Sequence, residues 1–204
     1  MTVLDISADL ALVAVFLLTF NACLGLLMAA RYSPYRHWPY QRINLFFLHR
    51  WTAHGAFAFV MLHPAVLLLL RSPKFRIIDL LLPVHSPSQP TINTIGAIAL
   101  YLALIVLLTS LARLSLGRKL WKRLHYLNYP AAVAWFVHGL LTDTKLKNRP
   151  TDWLDAEKFF VEICFALVMG VFAVTLLMRR RRDERDRTIK AGRYSLTQAV
   201  SRRG

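Results

Sequence analysis

Charge is scarce in this chain of 204 residues. Asp, Glu, Lys and Arg together make up 18% of it, where a globular domain carries about 25%. Cysteine is nearly absent: Cys23 and Cys164 both stand inside apolar runs, which argues against a disulfide framework and a thiolate metal site. No G-x-G-x-x-G follows a strand-like segment, so no flavin or nicotinamide site is expected in this chain. Internal repeats and low-complexity stretches are also missing. What the chain has instead is apolar length. Residues of the set AVILMFWYC reach 56%, the mean hydropathy is positive, and these residues are gathered into long blocks. Blocks of that kind are membrane spans rather than parts of a soluble core. A water-soluble enzyme, a disordered chain and a disulfide scaffold are thereby excluded.

Five runs, approximately 9–30, 45–70, 95–112, 124–142 and 158–178, are each near the ~20 residues that a helix needs to cross a hydrocarbon core. Runs this long without alternation predict helices, because lipid leaves the backbone no partner outside its own segment. The expected fold is therefore all-α, a polytopic bundle of five transmembrane helices. It divides into a short external N-terminus (1–8), the membrane domain (9–178) and a basic cytoplasmic tail (179–204). Lys and Arg give the orientation. The connection after the first span carries Arg31, Arg36 and Arg42, and the link after the third carries Arg113, Arg118, Lys119, Lys122 and Arg123. The tail opens on Arg179-Arg180-Arg181-Arg182. The opposite side has fewer cations: Arg71, Lys74, Arg76, Lys145, Lys147, Arg149 and Lys158. The positive-inside rule then puts the N-terminus outside and the C-terminus in the cytoplasm of a multi-pass inner (plasma) membrane protein. The net charge of +15 belongs to this topology and to anionic lipid, not to nucleic acid.

Five of the seven histidines fall in spans: His49, His54 and His63 in the second, His125 and His138 in the fourth. Ionisable residues inside a membrane are expensive and default to functional positions facing the bundle interior. His49 and His63 stand 14 residues apart, within about 40° of one another on a helix and about 21 Å apart along its axis. His125 and His138 are 13 residues apart, about 20 Å. One span intervenes, so the two helices run in the same direction and the four histidines form two height-matched pairs. Each level offers one imidazole from each helix, an arrangement that clamps a haem iron from both faces. Ala53, Ala56 and Val60 lie along the His49–His63 stripe and would leave room for a flat macrocycle. The phase of the second pair is awkward: 13 residues turn an ideal helix about 140° off face. Pro130, between the two, can unwind or kink the helix and change that phase.

Other readings of these residues stay open. A metal ion would need three or four ligands at one height, and the second and fourth spans contain no Asp or Glu. A proton relay or transporter would use intramembrane histidines as well, and a non-catalytic assembly subunit would need none of them. His54 sits about 140° from His49 on the wheel and reads as a hydrogen-bonded helix neighbour. Arg50 and Arg123, close to His49 and His125, are candidate partners for haem propionates, or else snorkelling and topological residues.

The stretches "FFLHRWTAHGAFAFVMLH" and "GRKLWKRLHYLNYPAAVAWFVHGLL" resemble the ferric reductase-like transmembrane domain family. That family includes the membrane cores of NADPH oxidases and ferric reductases and the haem-binding subunit of the bacterial methionine sulfoxide reductase system. The resemblance covers approximately residues 9–178 and rests on His-x13-His and His-x12-His. It implies a b-type cytochrome subunit with two haems b, the inner held by His49 and His125 and the outer by His63 and His138. It also implies an oxidoreductase subunit that carries electrons across the membrane. The family usually has six spans, and its reductases often carry flavin- and nicotinamide-binding domains after the last one. Here five spans and a short tail are expected, so a separate donor is implied, either a cytoplasmic flavoprotein or a membrane quinol. An external acceptor is implied too: a metal ion, dioxygen or a periplasmic reductase.

Overall fold

A computed structural model describes residues 2–30, 44–145 and 155–201, with side chains up to 190. The connection holding Arg31, Arg36 and Arg42, together with Lys147 and Arg149, lies outside the described residues. Among those described the chain is helical, in the order α1 (Val3–Ala29), α2 (Leu45–Val66), α3 (Ile77–Leu81), α4 (Pro90–Leu111), α5 (Arg113–His125), α6 (Asn128–Leu141) and α7 (Ala156–Ser201). Short 3-10 turns follow α2 (Leu67–Leu69) and α3 (Pro83–His85).

Four of these helices are long and apolar enough to cross a membrane: α1, α2 with its 3-10 extension, α4 and the stretch Ala156–Lys190 of α7. The protein is thus an all-helical multi-pass membrane protein. Small residues lie where the helices meet. Ser7, Ala8, Ala14 and Ala22 of α1, Ala56 of α2, Ala97 and Ala99 of α4 and Ala131 of α6 are all buried. Phe16, Phe47, Trp51 and Leu108 point outward. In lipid no hydrophobic force draws helices together, so close approach through small side chains supplies the packing. α1 packs along α2 and α7, and α4 packs along α6.

The first helix begins earlier than its apolar run, at Val3. Thr2 and Asp5 form a capping box: the Thr2 backbone N–H donates to Asp5 Oδ2 at 2.6 Å and the Asp5 N–H to Thr2 Oγ1 at 3.2 Å. At its far end, the Ala30 carbonyl accepts from an Arg182 guanidinium nitrogen of α7 at 2.9 Å, a cation at a helix C-terminus. α7 continues without a break past 179, so the boundary of the basic tail is one of composition and not of secondary structure.

The expected fourth span, 124–142, is not one helix. It divides at Tyr126–Leu127, leaving His125 as the last residue of α5 and His138 on α6. Pro130 explains the break. It has no N–H to give to the carbonyl four residues back, and its ring crowds that carbonyl. The Tyr126 carbonyl accepts instead from Tyr129 N–H at 3.1 Å, in a tighter turn. The link before it, 113–123, is a basic amphipathic segment, helical on either side of a kink at Gly117 (φ 71°, ψ 158°).

Outside the apolar helices, α3 is held by its own ion pair. The Arg76 backbone N–H donates to Asp79 Oδ2 at 2.9 Å and its Nε to the same oxygen at 3.2 Å. These donors, the guanidinium first, hold the Asp79 carboxyl below its usual range. Gln89, at φ 46°, clamps the entry of α4 to the end of α6. Its Nε2 donates to the Asp143 carbonyl at 2.8 Å, and its Oε1 accepts from the Asp143 N–H at 2.9 Å.

Candidate functional site

The four histidines of the two matched pairs meet across the bundle. The His49 and His125 rings lie 6.4 Å apart between centroids, at 69°. The His63 and His138 rings lie 6.3 Å apart, at 65°. Since His49 faces His125 and His63 faces His138, α2 runs in the same direction as α5 and α6. The separation of the two levels along α2 is about 21 Å. The break before Pro130 lets both histidines of the second pair face α2 despite their phase.

Each imidazole is held from behind through Nδ1. On α2, His49 Nδ1 faces the Asn21 carbonyl at 3.1 Å, and His63 Nδ1 faces the Ser7 carbonyl at 3.0 Å. Ser7 and Asn21 are 14 residues apart on α1, as His49 and His63 are on the antiparallel α2. His138 Nδ1 faces the Ile92 carbonyl of α4 at 2.9 Å. A carbonyl only accepts, so in these three rings Nδ1 carries the proton and the Nε2 lone pair is left available. The fourth, His125, has Ser110 Oγ at 3.3 Å from Nδ1, with Trp121 packed 5.1 Å from its ring.

Side chains fix these backers in turn. Asn21 Nδ2 donates to the His49 carbonyl at 2.6 Å and to Thr52 Oγ1 at 2.8 Å. Ser7 Oγ donates to the His63 carbonyl at 3.0 Å. Glycine makes room for two of the rings: a Cβ on Gly25 would meet His49 Cε1 at 3.3 Å, and one on Gly96 would stand 2.8 Å from His138. Ser7, Asn21, Ile92, Gly96 and Ser110 were not identified from the sequence. Their own signals are weak, because a carbonyl carries no residue identity and an apolar helix holds many small residues.

His54 stays apart from both pairs. Its Nδ1 bonds the Arg50 carbonyl of its own helix at 2.6 Å, and its ring lies beside Trp51. Arg50 and Arg123 are exposed near the His49–His125 level, and among the described residues neither guanidinium has a hydrogen-bond or ion-pair partner. No three metal-binding side chains come together among the described residues; each level offers two.

A cavity opens at the His63–His138 level. Ser7 and Ala8 of α1, Val60 of α2, Gly96 and Ala97 of α4 and Trp135 of α6 line it, together with Phe75, just before α3, and Asp79 of α3. Trp135 Nε1 is buried there, and among the described residues it has no hydrogen-bond partner.

Two stacked imidazole pairs, each drawn from two co-directional helices, define the site of this all-helical membrane protein. The family model for the ferric reductase-like transmembrane component matches residues 10–137, and the chain belongs to that family. The match includes His49, His63 and His125 and ends one residue before His138. Comparison with curated proteins and with solved structures gives no match.

Proposed function

We propose that the chain is a b-type cytochrome subunit that carries single electrons across the membrane through two haems. On this reading His49 and His125 are the axial ligands of the inner haem, and His63 and His138 those of the outer. The observation that carries it is the separation of the paired rings, 6.4 and 6.3 Å. An imidazole nitrogen binds a first-row metal at about 2.0–2.1 Å. With ring bonds of about 1.33 Å, the centroid sits about 1.1 Å behind that nitrogen. Two rings on opposite faces of one metal therefore stand about 6.3 Å apart. Two imidazoles do not complete a zinc tetrahedron, whereas a macrocycle brings its own four equatorial nitrogens. The Nδ1 partners orient the rings and raise their basicity.

When bound, haem supplies one-electron chemistry tuned by its axial ligands. The chain's own residues hold the imidazoles, exclude water and set the height of each level. α6 together with the last turn of α5 serves as a fifth span, with the N-terminus outside and the C-terminus inside. Electrons enter at the inner level from a cytoplasmic flavoprotein or a quinol, and leave at the outer level to an external acceptor. Arg50 and Arg123 are placed to meet carboxylates of the inner haem.

Purified protein expressed with ample haem should show a Soret band and two haems per chain by the pyridine haemochrome assay. A colourless protein would refute the reading and favour a histidine proton relay.

A further inference from the structure

Three of the four paired imidazoles give their Nδ1 proton to a backbone carbonyl, that of Asn21, Ser7 or Ile92. The fourth does not. Among the described residues His125 Nδ1 meets a side chain instead, Ser110 Oγ at 3.3 Å. The same oxygen lies 3.5 Å from Trp121 Nε1, and the Trp121 and His125 rings are 5.1 Å apart between centroids, at 31°. Ser110 is the last residue but one of α4, and Trp121 and His125 stand one turn apart on α5. One hydroxyl therefore ties the two ends of the 111–120 connection together beside the inner pair.

The donors and acceptors settle what this hydroxyl does. An indole N–H only donates, so Trp121 gives its proton to Ser110 Oγ. A neutral imidazole has one N–H and one lone pair. For His125 to present the Nε2 lone pair towards His49, across the 6.4 Å between their rings, Nδ1 must carry the proton and give it to the same oxygen. A hydroxyl oxygen has two lone pairs and takes both protons. The bond also falls where the backbone gives His125 least support. This residue ends α5 at the break before α6, and the segment leading to it is kinked at Gly117.

We propose that Ser110 is a positioning residue for His125, held in place by Trp121, an assignment that rests on the haem reading above. By accepting the Nδ1 proton it fixes the plane of the ring and raises the basicity of Nε2, which favours the oxidised iron of the inner haem. Without the hydroxyl that donation weakens and the reduced form is favoured. His49, His63 and His138 keep their carbonyls and are unaffected.

The test is a redox titration of haem absorbance on the purified full chain. Two components are expected, and the inner one is identified by its absence in His49→Ala. In Ser110→Ala the inner component should move to higher potential by a change in the oxidised-to-reduced ratio on the order of three- to tenfold, about 28–59 mV for one electron. The outer component should not move, and Ser110→Thr, which keeps the hydroxyl, should hold the parent value. Loss of the inner haem from Ser110→Ala and not from Ser110→Thr would also support the assignment. An unchanged or lowered inner potential in a haem-loaded Ser110→Ala would overturn it alone. Equal shifts or equal haem loss in the Ala and Thr variants would overturn it too, by showing a packing role. A parent without haem would overturn this assignment and the haem reading together.

Discussion

Gly96 of α4 and His138 of α6 approach so closely that a side chain at position 96 would stand 2.8 Å from the imidazole. The ring is pinned there by the Ile92 carbonyl, one turn earlier on the same helix. Contact and hydrogen bond together fix where Nε2 points, so the ring has little freedom to yield.

Gly96→Val should therefore displace His138 and deplete the outer haem while leaving the inner one. Gly25→Ala, whose Cβ would meet His49 at 3.3 Å, requires a shift of only a few tenths of an ångström and should keep most of its haem. Haem-to-protein ratios measure both, and a full complement in Gly96→Val would show that the contact does not position the ligand.

The Gln89–Asp143 clamp joins the start of α4 to the end of α6, the helices that back and carry His138. Gln89 is buried, and its amide satisfies both polar groups of one backbone residue. Truncation would remove both of these hydrogen bonds. Gln89→Ala should destabilise the protein by about 1–3 kcal/mol, read as a lower thermal midpoint in detergent. An unchanged midpoint would mean that water replaces the amide without cost.

How far this site is legible in the sequence differs between its two halves. On α2 the helix is continuous, so a spacing of 14 put His49 and His63 on one stripe, and the structure has both facing partners. On α5 and α6 the same arithmetic put the rings about 140° apart, and only the break at Tyr126–Leu127 restores the match. Pro130 was the visible sign that a break was possible, but the angle it produces depends on packing against α2 and α4. The start of α1 was misjudged because Thr2-x-x-Asp5 lies ahead of the apolar run. The backers of the imidazoles come from helices distant in sequence, and three of them act through carbonyls that every residue has. Lys158, the first residue of the last apolar run, reads from the sequence as a cation setting topology, since nothing in its local sequence reveals the cavity it lines.

Acid should loosen α3 through Asp79. Its folded-state carboxyl titrates below the ordinary value of 3.8, chiefly because Arg76 hydrogen-bonds the charged form. The resulting stabilisation is present in full above 3.8 and is lost as pH falls through the lower folded-state value. Asp79→Asn should thus be more susceptible than the parent to proteolysis near residues 72–85 at neutral pH, and the difference should shrink in acid. A difference that stays constant with pH would assign the effect to packing instead of charge.

The histidines themselves provide the most direct test of the two-level arrangement. His63→Ala or His138→Ala should remove the outer haem and leave the inner, because the ring pairs share no residue. His49→Ala or His125→Ala should do the reverse. His54→Ala should keep both, since its ring is bonded to its own helix at Arg50 and faces neither pair. Haem content by pyridine haemochrome, set beside protein concentration, gives a ratio near two for the parent and for His54→Ala, and near one for the other four. A parent ratio near one would reduce the site to a single level. Loss of haem from His54→Ala would bring that residue into the site and would require α2 to be rotated from the orientation its ring contacts define. If all four pair variants kept the parent spectrum, the histidines would not be ligands at all, and the ring pairs would be those of a proton path.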